Sequence, residues 1–119
     1  MNDITTRADI EVLIRKFYAN LFEIEEMKVI FKDIVFEAHV PHIIHFWGFV
    51  LLDEEGYRTN VFDKHLHLPI KSHQFDIWLA VFSATVNELF VGEKADLAIQ
   101  RATTLAYTFK SKWQSIKEK

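Results

Sequence analysis

From Phe75 to its C-terminus the chain holds one glycine, Gly92, and no proline, while apolar residues recur at helical spacing. Phe75, Trp78, Leu79, Phe82, Val86, Leu89 and Phe90 share one face at about 100° per residue. After Gly92 the same holds for Leu97, Ala98, Ala102, Leu105, Ala106, Phe109, Trp113 and Ile116. Glycine is a natural helix terminator because it enters left-handed backbone conformations without a steric penalty. The pattern predicts two long antiparallel helices, the first opened by the segment around Trp78 and the second starting near Glu93. Joined at Gly92, they form a hairpin.

The preceding chain reads the same way. Ile10, Leu13, Ile14, Phe17, Tyr18 and Leu21 form a first apolar stripe, with Thr6 and Asp9 close to a capping-box pair. Tyr18 belongs to that stripe. A buried phenol needs a partner, because a dry hydroxyl costs roughly 1–3 kcal/mol; a backbone carbonyl or a bound ligand would serve. Residues 22–33 are dense in charge and read as short helical turns. A further helix is expected over residues 38–52, ending near Gly56, with Pro41 in its first turn, where the missing N–H is not needed. His39, Ile43, Phe46, Trp47 and Val50 share its broad face, His42 lies at the edge, and His45 points to solvent. Residues 57–63 read as a loop, and residues 63–68 as a short helix that carries His65 and stops at Pro69. No strand candidate competes, so the expected fold is all-α.

With 119 residues the chain is read as one domain (1–119), large enough to bury a core without staples. It contains no cysteine, which excludes disulfides, thiolate metal sites and thiol catalysis. No apolar run reaches the roughly 18 residues of a membrane span, and no basic flank leads into an apolar N-terminal segment, so a cytoplasmic protein is expected. The net charge of −3 is scattered, without the basic stripe that nucleic acid requires. Eleven Phe and three Trp stand against three Gly and two Pro, a balance suited to helices. Those aromatics would fill a core or wall an apolar pocket, and composition does not separate the two.

Several chemistries lack their residues. His39, His42 and His45 spread over more than half a helix circumference, so they cannot converge on one zinc ion without partners from elsewhere. There is no Glu-x-x-His pair for a di-iron bundle and no His-Glu-x-x-His protease motif. Isolated glycines make no phosphate loop, and no serine sits on a glycine-flanked elbow. These absences shift the weight to a bound cofactor. A histidine beside an apolar run is commonly a structural residue. His65, on a short element before a proline stop, is also the kind of histidine that an iron porphyrin takes on its proximal side.

The order Phe17-Tyr18, then His39, then Phe46-Trp47, then Lys64-His65-Leu66-x-Leu68-Pro69, then Phe75-x-Ile77-Trp78-Leu79 resembles the group III truncated haemoglobins. The resemblance spans about residues 8 to 113, and the paired-glycine motifs of other truncated haemoglobin groups are missing, which agrees with group III. It implies a shortened two-over-two globin around haem b, with the first globin helix nearly absent. His65 matches the proximal iron ligand, Tyr18 and His39 match distal positions, and Trp78 matches the tryptophan of the penultimate helix. Phe17, Phe46 and Trp47 match positions lining or supporting the haem pocket. Tyr57, Arg58 and Lys64 are close enough in sequence to serve the propionates. Pro41 disfavours helical geometry at Val40. The distal helix is therefore expected to start late, with His39 on its cap and His42 as the neighbour able to replace it.

The physical chemistry is consistent with that resemblance. Neutral imidazole coordinates iron through one nitrogen while a carbonyl fixes the other, and a helix end before Pro69 offers such carbonyls. A Tyr hydroxyl and an indole N–H would each stabilise a polar diatomic ligand by roughly 1 kcal/mol or more. The expected function is binding of dioxygen, nitric oxide or carbon monoxide by a monomer fed by an electron donor. Slow oxygen release suits nitric oxide dioxygenase or peroxidase-like chemistry better than bulk oxygen transport. A haem-dependent gas or redox sensor and a haem-free helical interaction module are the alternatives.

Overall fold

Thr6 and Asp9 open the first helix as a reciprocal pair. The Asp9 N–H donates to Thr6 Oγ1 at 3.1 Å and the Thr6 N–H donates to Asp9 Oδ2 at 3.1 Å, which is a capping box. The computed structural model describes residues 1–53 and 70–117 of the chain. Among them are five helices: α1 (Arg7–Leu21), α2 (Glu25–Ile30), α3 (Phe36–Leu52), α4 (Ser72–Leu89) and α5 (Glu93–Lys117). No strand occurs among the described residues, in line with the all-α expectation. None of their helices is long and apolar enough to cross a membrane.

The four long helices pair in a closed circuit: α1 with α3, α3 with α5, α5 with α4, and α4 with α1. Lys110 Nζ lies 3.0 Å from Asp76 Oδ2, and the Phe75 and Trp113 rings are 5.7 Å apart. Both contacts join the start of α4 to the end of α5, so the expected antiparallel hairpin is present. At the centre Ile10, Leu13, Ile14, Phe17 and Leu21 of α1 meet Val40, Ile44, Trp47 and Leu51 of α3. Phe82 and Val86 of α4, Ala95, Ala98 and Ala102 of α5, Met27 and Ile30 of α2, and Ile4 and Phe90 complete this core. The α5 contribution is alanine-rich, which lets that helix approach closely. Phe75 and Trp113 form a second small cluster, with Ile70 and Phe109 packed beside it.

Helix α3 departs from expectation at its N-terminal end and closes at Leu52 as expected. It starts at Phe36, so Pro41 falls in the second turn, Val40 is helical, and His39 is the fourth helical residue rather than a cap. The lost hydrogen bond would have run from position 41 to the Glu37 carbonyl. Glu37 and Pro41 are both exposed, so water can satisfy that carbonyl. In return the early start buries Val40 and packs the Phe36 ring 5.1 Å from Tyr18. The C-terminal end is set by Asp53 in a left-handed conformation (φ 57°), whose N–H donates to the Gly48 carbonyl. Asp tolerates that region through its short polar side chain. Gly56 lies outside the described residues, as do the loop expected at 57–63 and the short helix expected at 63–68.

Three smaller corrections follow from packing. Trp78 does not open α4 but sits two turns in, because the helix begins at Ser72 after a Lys71 N–H to Gln74 Oε1 bond of 2.8 Å. Ile116 is 57 % exposed, lying beyond Trp113, the last buried residue of α5. His45 is half-buried rather than on an open surface, since α3 is covered by both α1 and α5.

The α4–α5 turn is closed by the N-terminal segment. Asp3 accepts from the N–H groups of Lys94 and Ala95, both at 2.9 Å, and of Ile4 at 2.8 Å. The Val91 N–H donates to the Asn2 carbonyl at 3.1 Å. Asp3 thus caps α5 from outside the helix. Gly92 adopts φ 139°, and a Cβ there would sit 2.5 Å from Asp3 Cγ, so both backbone conformation and space require glycine. Burial alone would raise the Asp3 pKa. The three backbone hydrogen bonds and the Lys94 charge outweigh it and hold the carboxyl below its usual value. Asp3→Ala is expected to cost about 1 kcal/mol at pH 7, like other lost caps. That is a fall of about 3–6 °C in Tm. Because the folded pKa is lowered, the Asp3 contribution is complete above about pH 4 and drains away as pH falls through the folded value. Thermal melts of parent and variant should therefore converge in acid, and equal Tm values at pH 7 would contradict the cap.

Candidate functional site

Between α2, α3, α4 and α5, and under Tyr18 of α1, lies a cavity of about 640 Å³. Its walls are mainly apolar: Met27, Ile30, Phe31 and Ile34 on one side, Ile43, Phe46 and Trp47 from α3, Phe75 and Trp78 from α4, and Leu105, Ala106 and Phe109 from α5. The polar side chains in the wall are few: Tyr18, His39, His42 and Gln74, with the Trp78 and Trp47 indoles. Cofactor pockets commonly have this character, apolar walls with a few placed polar groups.

Tyr18 is held by its ring. Phe17, Phe22, Phe31 and Phe36 surround it at centroid distances of 4.8, 5.7, 6.1 and 5.1 Å. The ring is half-buried because it borders the cavity. Burial nevertheless pushes the phenol pKa well above its ordinary value, so the hydroxyl is a neutral donor at physiological pH. No hydrogen bond among the described residues uses that hydroxyl. Trp78 is fixed by stacking on Phe82 (5.5 Å, 13°) and by an edge contact with Phe17 (5.8 Å, 89°). Its indole N–H likewise has no hydrogen-bond partner among the described residues. Two oriented donors therefore wall one apolar cavity with nothing bonded to them among the described residues.

Of the residues singled out from sequence, Tyr18, His39, Trp78, Phe46 and Trp47 all line this cavity. Phe17 does not. It is 1 % exposed and lies behind the wall, where it buttresses Tyr18 and Trp78. His39 and His42 are both exposed and both border the cavity, so α3 presents two histidines at its rim. His65, Tyr57, Arg58 and Lys64 lie outside the described residues. No group of three His, Asp or Glu side chains converges as a metal site among the described residues.

The cavity also uses residues that sequence reading missed. Phe36 counted there as a residue before the helix, and Met27 and Ile30 as parts of a charged connector. Gln74 is the most informative omission. It is 5 % exposed, lines the cavity, and sits four residues before Trp78 on the same face of α4. A polar residue at that spacing on an apolar stripe was the available signal.

No protein-family model matches the chain. It is 28 % identical over 106 residues to the group 3 truncated hemoglobin ctb of Campylobacter jejuni, covering 83 % of this chain and 84 % of that protein. It also superposes on the crystal structure of a group III truncated hemoglobin from Campylobacter jejuni with a TM-score of 0.83. That match has 27 % identity and covers 93 % of this chain and 94 % of the other.

If the Tyr18 hydroxyl has no structural partner, Tyr18→Phe should leave the stability of the ligand-free chain unchanged or raise it by up to about 1 kcal/mol. Urea denaturation measures this. A loss of more than about 1 kcal/mol would reveal a protein partner for the hydroxyl.

Proposed function

Because the chain is a homologue of the group III truncated haemoglobins, we propose that it holds haem b in this cavity and binds dioxygen and other diatomic ligands there. The observation that carries the reading is the pair of unbonded donors, Tyr18 O–H and Trp78 N–H, in one apolar cavity. The residues fit the group: the cavity volume falls in the range of cofactor pockets, and its walls are largely aromatic and aliphatic. When bound, haem supplies an iron with an open position for a diatomic ligand.

The chain's own residues would then divide the work. His65, shortly before the cavity residue Ile70 in sequence, would hold the iron as a neutral imidazole. Tyr18 and Trp78 donate to the ligand from fixed positions, in a space too apolar for water to compete well. Phe46 and Trp47 would give the macrocycle apolar contact, and His39 and His42 stand at the exposed rim of the cavity. Tyr57, Arg58 and Lys64 serve the propionates. Two donors slow ligand release, which supports redox chemistry on oxygen, nitric oxide or peroxide over bulk oxygen transport.

A Soret band on reconstitution with haemin, shifted by carbon monoxide in the ferrous state, is the first expected result. A colourless protein that takes up no haemin would instead favour a haem-free interaction module. His65→Gly should lose haem or retain it only with added imidazole, and a normal five-coordinate ferrous spectrum in that variant would remove His65 from the role. Tyr18→Phe and Trp78→Phe should each raise the oxygen off-rate about fivefold, the equivalent of roughly 1 kcal/mol per hydrogen bond. Unchanged off-rates in stopped flow would end the donor argument.

A further inference from the structure

Helix α2 is held differently from the other four helices. Among the described residues it lacks the extensive helix-to-helix packing that joins α1, α3, α4 and α5 to one another. Its buried residues, Met27 and Ile30, join the edge of the main core and both line the cavity, so the inner side of this short helix is core on one flank and cavity wall on the other. Across the cavity edge it is tied to the first turn of α4 by one carboxylate oxygen. Glu26 Oε2 accepts from Gln74 Nε2 at 3.1 Å and lies 2.8 Å from His73 Nε2. Gln74 is itself pinned, its Oε1 accepting from the Lys71 N–H at 2.8 Å.

The tie has an inner and an outer half. His73 and Glu26 are exposed, and an exposed pair of this kind is readily exchanged for water. Gln74 is buried, and parting it from Glu26 leaves an amide hydrogen without a partner until water enters the cavity. The tie therefore adds only modestly to what Met27 and Ile30 gain by burial, and every opening of α2 wets the cavity between α2 and α4. We infer that α2 is a flap over the cavity and that the Glu26–His73–Gln74 tie sets how often it opens to admit ligand. This route is separate from the rim at His39 and His42 on α3. Its identification with ligand entry rests on the proposed haem-binding function, whereas the flap itself rests on the geometry of α2 and α4.

Amide hydrogen exchange on the full haem-free chain tests the flap without reference to haem. Glu26→Ala is expected to speed exchange across residues 25–30 about fivefold while leaving the α4 core around Phe82 and Val86 unchanged. Glu26→Gln keeps an acceptor oxygen and should show a smaller effect. Glu25→Ala removes a neighbouring carboxylate from the same first turn without touching the tie, and should show none. Unchanged α2 exchange in Glu26→Ala, or an equal increase in Glu25→Ala, would overturn the flap. In the haem-reconstituted protein, carbon monoxide association after flash photolysis should accelerate in Glu26→Ala and His73→Ala. Faster exchange with an unaltered association rate would overturn α2 as the ligand route. Failure to bind haem at all would remove the proposed function, and the exchange experiment would still decide the flap.

Discussion

Phe82 is the side chain on which the arrangement of this molecule turns. It has no exposed surface and lies between two indoles, Trp47 of α3 at 4.8 Å and 20° and Trp78 of α4 at 5.5 Å and 13°. Phe17 of α1 meets it edge-on at 5.2 Å and 79°. Three helices are thus joined through one ring. Stacked and edge-to-face aromatic pairs add about 0.5–1.5 kcal/mol each beyond their area. The same contacts settle where the Trp78 indole and, through Phe17, the Tyr18 ring can be. Core packing and orientation of the cavity donors are one set of contacts.

The opposite wall is built on another principle. Where α3 and α4 present rings locked into the core, α2 presents Met27 and Ile30 at the core's edge on a six-residue helix with little helix-to-helix packing among the described residues. Its polar tie to α4 passes through an exposed carboxylate. A cavity with one rigid and one weakly held wall keeps its donors in register and still leaves a way in. Rigid positioning and access compete wherever a ligand must be both oriented and exchanged.

Unbonded polar groups in a protein interior are a liability unless something completes them. Tyr18 O–H, Trp78 N–H and the buried Trp47 N–H, all on the cavity, stand unbonded among the described residues, while polar groups away from its centre have partners: Asn20 donates to Thr85 Oγ1, Thr85 donates to the Val81 carbonyl, and Gln74 bonds to Glu26. The contrast separates groups that serve the fold from groups that serve whatever enters the cavity. It is a physical reason, independent of family resemblance, for the proposal that a ligand binds between Tyr18 and Trp78.

The apolar periodicity alone determined the helices: the stripes from Ile10 to Leu21 and from Phe75 to Phe90 bury the residues they named, place them on the cavity or, for Leu79 and Leu89, pack them half-buried against the core, and Thr6 with Asp9 forms its cap. Much of the candidate site was legible too, since Tyr18, His39, Phe46, Trp47 and Trp78 line one cavity. These features follow from local spacing, which a sequence carries directly. Tertiary structure decided what depends on residues far apart. Burial of Val40 and the packing of Phe36 on Tyr18 carried α3 through Pro41, against a local preference that argued for a later start. Asp3, some ninety residues away along the chain, capped α5 and left room for nothing larger than glycine at Gly92. Gln74 and Glu26 became partners because α2 and α4 meet at the cavity edge. Each is a contact between distant segments, whose free energy outweighs local propensity and leaves no periodic trace in the sequence.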